Sequence, residues 1–538
     1  MWTQLDVSGL IAVVSMFILF LLIGWWSARI NKGSQSAADF IVAGRTMPLW
    51  IATMTMTATW VDGGFLLGTA EFTYKHGLSV GVQGGLCFGI SLILGGIFFS
   101  KRIRELEHNT MVDIFELRFG PKWAAILSLP AMLGEIFWSS ALLVAIGATF
   151  QVVLHVDLVP AILLSAGVVT LYTMIGGMWS IAYTDVVQLT MAPISLLLAT
   201  WYAVHAIPGG WMHSWEVFSH HHQISETPFF LTLFPSTAWH SPASVSWWDM
   251  TIMLVFGGVP WNCYFQRVLS CASPKKAQLH SVLAGLLTMV LTSLPVILGI
   301  LAFGYWGASG IQEASLTLPL LLKTLAPYWV TIFGTMTIVG AVTSSFSASI
   351  LSAGSMFSWN IAHRLFHFRL DRKRFILLAR TSIFLLGFSA VWLALKVQSI
   401  ASLWLFTSDL VFVLLFPQLT AALFDSKSNV VGSITGFCVS LILRVGGGVS
   451  LETDTGLVGF GALVPYPELL AHWVELNPSD WYDKIGVTLL PVKTFSAIVG
   501  LIVIPVVSRL YTKFASPSCG AAQKKTTPEI RPEPSFGG

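Results

Sequence analysis

The chain has 538 residues, of which 55% are hydrophobic and only 10% charged, with a formal net charge of +3; its mean hydropathy is +0.75. A soluble globular domain is neither so apolar nor so poor in charge. So small a net charge over this length is no footprint of nucleic-acid binding.

Apolar runs of about 20 residues, the length a helix needs to cross a bilayer, recur along the whole chain. They predict an all-α integral membrane protein with thirteen spans, near 8–28, 47–74, 78–100, 123–153, 159–177, 180–206, 247–266, 277–304, 328–358, 375–395, 400–423, 428–446 and 488–511. The first span is not expected to be a cleaved signal peptide, because Met1 to Asp6 carry no Lys or Arg. Residues 1–45 hold that extra span and a cytoplasmic loop. The second span is interrupted at Thr59-Trp60-Val61-Asp62-Gly63-Gly64, and the seventh at Gly257-Gly258-Val259-Pro260-Trp261. Broken spans at matching places in two halves point to a transporter binding site between inverted repeats. Two five-helix repeats, 46–206 and 247–424, fit this symmetry, each opening on its broken helix.

Between the repeats, 207–246 reads as a polar extracellular loop. Its His220-His221-His222 run has no carboxylate or Cys cluster beside it to favour a metal. Two peripheral spans make up 425–513, with an acidic, aromatic outer segment at 449–487 expected to hold a short helix. The proline-rich tail, 514–538, is expected to be disordered. Cys87, Cys263, Cys271, Cys438 and Cys519 have neither zinc nor redox spacing.

Lys and Arg set the orientation. Arg29, Lys32 and Arg45, then Lys101 to Arg118, Arg267 to Lys276, Arg364 to Arg374 and the tail gather on one side, whereas Pro208 to Trp247 has none. The N-terminus is therefore predicted outside and the C-terminus in the cytoplasm of a cell with this protein in its plasma membrane.

Trp is common at membrane interfaces, which suits Trp25, Trp26 and Trp247. Trp60 lies deeper, beside two glycines, where an unwound stretch must be covered by protein or line a cavity. The Trp60 and Trp261 pair suggests ring faces for a cation without good hydrogen-bond donors. From periodicity alone Phe88 and Trp138 read as core packing. Ala341, Ser344 and Ser345 share one helix face, and Ala58 and Val61 precede the first break. Together they would make an oxygen cage for Na⁺, or simply let helices pack closely. Asp62, Glu71, Glu135, Asp185 and Asp409 are intramembrane acids, each costing ~2.5–3.5 kcal/mol at mid-membrane unless partnered. No Walker loop, catalytic triad or metal cluster is present, so neither ATP-driven transport nor an enzyme is predicted.

Asp39-Phe40-Ile41-Val42-Ala43-Gly44-Arg45, Tyr172-Thr173-Met174-Ile175-Gly176-Gly177 and Tyr183-Thr184-Asp185-Val186-Val187-Gln188 resemble the sodium:solute symporter family. Within it, Met56 to Val61, Gly68 to Glu71, Ser91 to Gly96, Gly257 to Trp261, Tyr264 to Leu269, and Ser408-Asp409-Leu410 with Phe416-Pro417-Gln418 look like the high-affinity choline transporters. The resemblance covers about residues 8–512. It implies sodium-coupled choline uptake by alternating access through a cage of Trp60, Phe88, Trp138 and Trp261. It also implies a sodium site at Ala58, Val61, Ala341, Ser344 and Ser345, with Asp185 linked to cation coupling. Chloride dependence is implied too, without a place for the ion, and oligomeric state is left open.

Three positions depart from that pattern: Phe88 for Tyr, Ser347 for Asp, and Asp62 for Gly. Asp62 is expected beside the cage, standing in for the acid lost at Ser347. Rival expectations are a betaine symporter or a choline sensor that does not transport.

Overall fold

The computed structural model describes residues 5–30, 37–224, 231–234, 242–366, 372–396, 400–446, 449–453, 456–460 and 491–515. In chain order the helices are α1 (Val7–Ile30), α2 (Ala37–Val42), α3 (Leu49–Trp60), α4 (Gly63–His76), α5 (Leu78–Gly81) and α6 (Gln83–Leu94), then α7 (Lys101–Glu105), α8 (Val112–Phe119), α9 (Pro121–Val153) and α10 (Leu158–Ala206). There follow α11 (Gly210–Ile224), α12 (Pro242–Gly257), α13 (Asn262–Ser270), α14 (Pro274–Trp306), α15 (Thr317–Leu325), α16 (Tyr328–Ser355), α17 (Arg372–Ala394), α18 (Ile400–Phe424), α19 (Val430–Gly446) and α20 (Val492–Ala515). Among the described residues, nine helical stretches are long and apolar enough to cross a membrane.

Both predicted breaks are present, and local chemistry makes each. α3 ends where Val61 leaves helical geometry (φ −90°, ψ 66°), and Asp62 restarts the chain by accepting a hydrogen bond from the Phe65 N–H at 2.6 Å. That side chain satisfies one of the orphan donors of a new helix. A Cβ at Gly63 would lie 1.9 Å from Val342 Cγ2, so the break lies directly against α16. In the second break Pro260 lacks an N–H and disfavours helix at the residue before it; Trp261 is extended (φ −96°, ψ 130°) and α13 follows. A third interruption, at Gly177 (φ 57°, ψ −147°), divides α10 where two spans, 159–177 and 180–206, are predicted. Straight, its 49 residues would run about 74 Å, over twice a hydrocarbon core.

Burial separates centre from rim. In its most apolar window α16 is 94% buried, against 33% for α1 and α17 and 28% for α20. α16 packs on α9 and α10, and α18 packs on α9. The site therefore forms where the breaks meet the most enclosed helices.

Three expectations are corrected. Residues 210–224, predicted as part of a polar loop, are helix α11. Its Ser214 lies against Gly304 of α14, and its Phe218 and His221 rings lie 5.4 and 5.0 Å from Phe303. No metal-holding group occurs among the described residues, and the His222 side chain lies outside them. In the 449–487 segment, Val449–Thr453 and Gly456–Phe460 pair as an antiparallel hairpin, and the rest of the stretch expected to hold a short helix lies outside the described residues, as does the tail from 516. Trp247 is buried, donating to Ser79 O at 3.0 Å, and is no interface residue. Trp25 and Trp26 are half exposed, as expected of a belt. Arg267, counted among cytoplasmic loop charges, is completely buried.

Candidate substrate and cation site

The breaks bring four aromatic rings together from four helices. Trp60 ends α3, Phe88 projects from α6, Trp138 from α9, and Trp261 precedes α13. The Trp60 ring centroid lies 4.9 Å from Phe88, 6.4 Å from Trp138 and 6.5 Å from Trp261, and Trp138 and Trp261 are 5.2 Å apart. Trp261 stands steeply to the other two indoles, at 83° to Trp60 and 72° to Trp138. The rings therefore make walls facing different ways, unlike a flat stack. All four are buried, at 4–6% exposure.

They line a narrow, partly open pocket, completed by Asp62 of the first break and by Thr407 and Ser408 of α18. The Asp62 carboxylate accepts from Trp138 Nε1 at 2.8 Å while capping α4, which ties ring orientation to the helix break. Trp60 Nε1 and Thr407 Oγ1 are buried and have no hydrogen-bond partner among the described residues. Buried polar atoms are ordinarily paired, so two unpaired ones in a cavity wall suit a place where ligand or water completes the set. Asp62 and all four predicted rings are thus in one place. Thr407 and Ser408 were missed; the available signal was a Thr-Ser-Asp run in an otherwise apolar span.

The predicted oxygen set gathers beside the cage. Ser345 Oγ donates to Thr59 O at 3.0 Å and approaches Ala58 O at 3.4 Å, and Ser344 Oγ lies 3.4 Å from Ala58 O. Val61 donates its N–H back to Thr57 O at 2.8 Å, and the residue is buried at the break. Ala341 is buried one turn before Ser344 and Ser345 on α16. Serine hydroxyls and helix-end carbonyls are the hard oxygen donors that a small cation accepts.

Asp185 sits one step back. It accepts from Ser344 Oγ at 2.6 Å and from the Thr55 hydroxyl, and pairs with Arg267 Nη2 at 3.5 Å. Arg267 also donates from Nε to Thr55 O and from Nη1 to Cys263 O, both at 3.1 Å. Asp185 reaches the serine and carbonyl oxygens through Ser344. Ser347 donates to Ser344 O at 2.7 Å.

The other acids divide. Glu135 accepts from Ser349 at 2.8 Å and from the Ser352 hydroxyl, and Asp409 pairs with Arg444 at 2.5 Å. Glu71 alone of the five has no hydrogen bond or ion pair among the described residues.

Comparison with known proteins gives the family and the fold. The profile of the sodium:solute symporter family matches residues 40–440. The high affinity choline transporter 1 of Homo sapiens is 37% identical over 459 residues, covering 82% of this chain and 77% of that protein. The high-affinity choline transporter 1 of Drosophila melanogaster is 35% identical over 477 residues, covering 86% and 74%. A solved structure of a Na⁺-coupled sialic acid symporter, in a substrate-bound outward-open state, superposes with a TM-score of 0.74 at 17% identity, covering 96% of this chain and 99% of that one. At that identity the likeness bears on the fold alone: an all-α, multi-pass membrane architecture. A family of solute carriers also accords with the absence of catalytic machinery in the sequence, and the chain belongs to the sodium:solute symporter family.

Proposed function

We propose that this protein is a secondary active transporter that takes up choline with sodium by alternating access. The observation that carries the reading is the convergence of Trp60, Phe88, Trp138 and Trp261 with the Asp62 carboxylate on one buried cavity. A quaternary ammonium has no strong donor to offer, so ring faces and a carboxylate are the groups that can hold its charge. Each ring contributes ~0.5–2 kcal/mol once water is excluded, and four of them with one acid suit a micromolar-class site, which needs about 8 kcal/mol. The names of the similar choline transporters point the same way.

In this reading Ala58, Val61 and Ala341 offer carbonyls and Ser344 and Ser345 hydroxyls to sodium, which holds α16 against the first break and so orders Trp60. One Na⁺ moving inward gains about 2.3 kcal/mol per 100 mV, and a tenfold gradient adds about 1.4 kcal/mol. The chain crosses the membrane thirteen times. Two five-helix repeats at 46–206 and 247–424 lie between the extra first span and the last two, with the N-terminus outside. Chloride has no assigned place.

The test is radiolabelled choline uptake into proteoliposomes. Uptake is expected to saturate and to fall to background when the sodium gradient is removed. Uptake that neither saturates nor needs sodium would point to a channel, and binding without uptake to a sensor.

Asp62 separates choline from betaine, whose carboxylate it repels. Asp62→Asn keeps a good N-cap and an acceptor for Trp138 while deleting the charge. It is expected to raise the choline KM about tenfold or more, a loss of ~1.4 kcal/mol, to improve competition by betaine, and to weaken sodium dependence if Asp62 compensates for Ser347. An unchanged KM and sodium requirement would remove any charge role for Asp62.

A further inference from the structure

The cage leaves Glu71 unexplained. A carboxylate within a membrane span is costly and faces a partner, a water-filled path or a ligand. Glu71 is partly buried and has no hydrogen bond or ion pair among the described residues. Lys75, one turn further along α4, attracts it through space without closing to an ion pair. Gln83, which lines the same space, has its amide N–H groups committed to Trp247 O and Thr251 Oγ1, both at 2.8 Å.

Glu71 lines a second cavity, of about 540 Å³, separate from the cage. Its apolar walls are Phe65 and Phe72 from α4 and Met250 and Leu254 from α12. The space is open at its α4 face: a Cβ built on Gly68 would meet no atom within 4 Å. α4 and α6 reach both cavities, and α12 leads from the second toward the break at Trp261. Asp62 begins α4 in the cage, and Glu71 is nine residues on, about 13 Å along that helix. Phe88 on α6 lies one turn from Gly84, and Trp261 lies seven residues beyond Leu254. With the N-terminus outside, the second cavity is on the extracellular side of the cage.

We infer that this cavity is an outer site for an organic ammonium cation, with Glu71 as counter-charge and the Phe65, Phe72, Met250 and Leu254 surfaces taking its alkyl groups. A carboxylate without a direct ion pair disfavours anions, and apolar walls disfavour small hydrated cations, which leaves alkylated ammonium as the matching chemistry. That chemistry has two sources: the transported substrate on its way to the cage, or an amphiphilic ammonium that stays at the outer site. The inference rests on the proposed function for its orientation and for the first of these sources.

The experiment uses the full chain with Trp60→Ala and Trp261→Ala, so that the cage no longer holds a cation. Octyltrimethylammonium and choline are each titrated alone by calorimetry. Saturable binding of octyltrimethylammonium is expected to persist in this protein, and Glu71→Gln is expected to weaken it about tenfold or more. Gly68→Met, which fills open space and leaves the charge in place, is expected to weaken it as well, and serves if the Glu71 variant does not fold. In the otherwise native protein, a choline KM raised by Glu71→Gln identifies the substrate as occupant. An unchanged KM with loss of octyltrimethylammonium binding identifies an amphiphile. Absence of saturable binding, or binding that neither substitution weakens, overturns the inference. A native protein that takes up no choline overturns the proposed function instead and leaves the titration meaningful.

Discussion

Trp60→Ala and Trp261→Ala are each expected to bring sodium-driven choline uptake to background, while Trp60→Phe and Trp261→Phe retain part of it. The indole face is the strongest neutral partner for a quaternary ammonium. In so tight a pocket, loss of one indole removes a wall and lets water screen the rest. Loss of ~2 kcal/mol from one ring weakens binding about 30-fold, before water entry adds to it. Phenylalanine keeps a ring face with a smaller quadrupole and leaves a modest gap, so a several-fold loss is expected. Trp60 should be the more sensitive, because its ring neighbours Phe88, Trp138 and Trp261, whereas within the cage Trp261 neighbours Trp60 and Trp138. Choline binding to purified protein, read together with the thermal midpoint, separates a lost site from a lost fold. Equal retention by the Ala and Phe variants would dismiss the ring faces as the binding element.

The breaks were legible because their causes are local. A Gly-Gly pair after Asp and a Gly-Gly-Val-Pro run interrupt a helix wherever they occur in an apolar segment. The ring pair at those breaks was legible for the same reason. Phe88 and Trp138 were not, since a cage aromatic and a core aromatic have the same helical spacing; only the family resemblance singled them out. Arg267 misled for a physical reason. Positive-inside counting treats every Lys and Arg near a span end as bathed in water, but the partner that lets Arg267 stay dry, Asp185, is 82 residues away in sequence. Ser349 and Ser352 likewise read as ordinary small residues until Glu135, 214 and 217 positions earlier, is seen accepting their hydroxyls. Helix α11 was hidden because its stabilising contacts are with Phe303 and Gly304 on another helix. What stayed illegible was pairing between distant helices.

Arg267→Met is expected to be the most destabilising single change near the site. The guanidinium and the Asp185 carboxylate are both fully buried, 3.5 Å apart. Burying two charges is expensive, so the pair itself adds little net stability, but removing one partner strands the other and costs ~3–5 kcal/mol. Replacing both with neutral groups relieves that penalty. The double variant Arg267→Met, Asp185→Asn should therefore recover much of the thermal midpoint that Arg267→Met loses, measured in detergent by the temperature at which the monodisperse peak disappears. A single variant as stable as the native protein would mean that the two groups are not a charge pair. The same double variant isolates the coupling role. Ser344 Oγ donates to Asp185 at 2.6 Å while lying 3.4 Å from Ala58 O, so the carboxylate orients the oxygen proposed to meet sodium. An amide in its place accepts the same bond without the charge. Choline uptake by the refolded double variant should then need a higher sodium concentration for half-maximal rate, whereas choline binding in the cage, walled by other residues, should change far less.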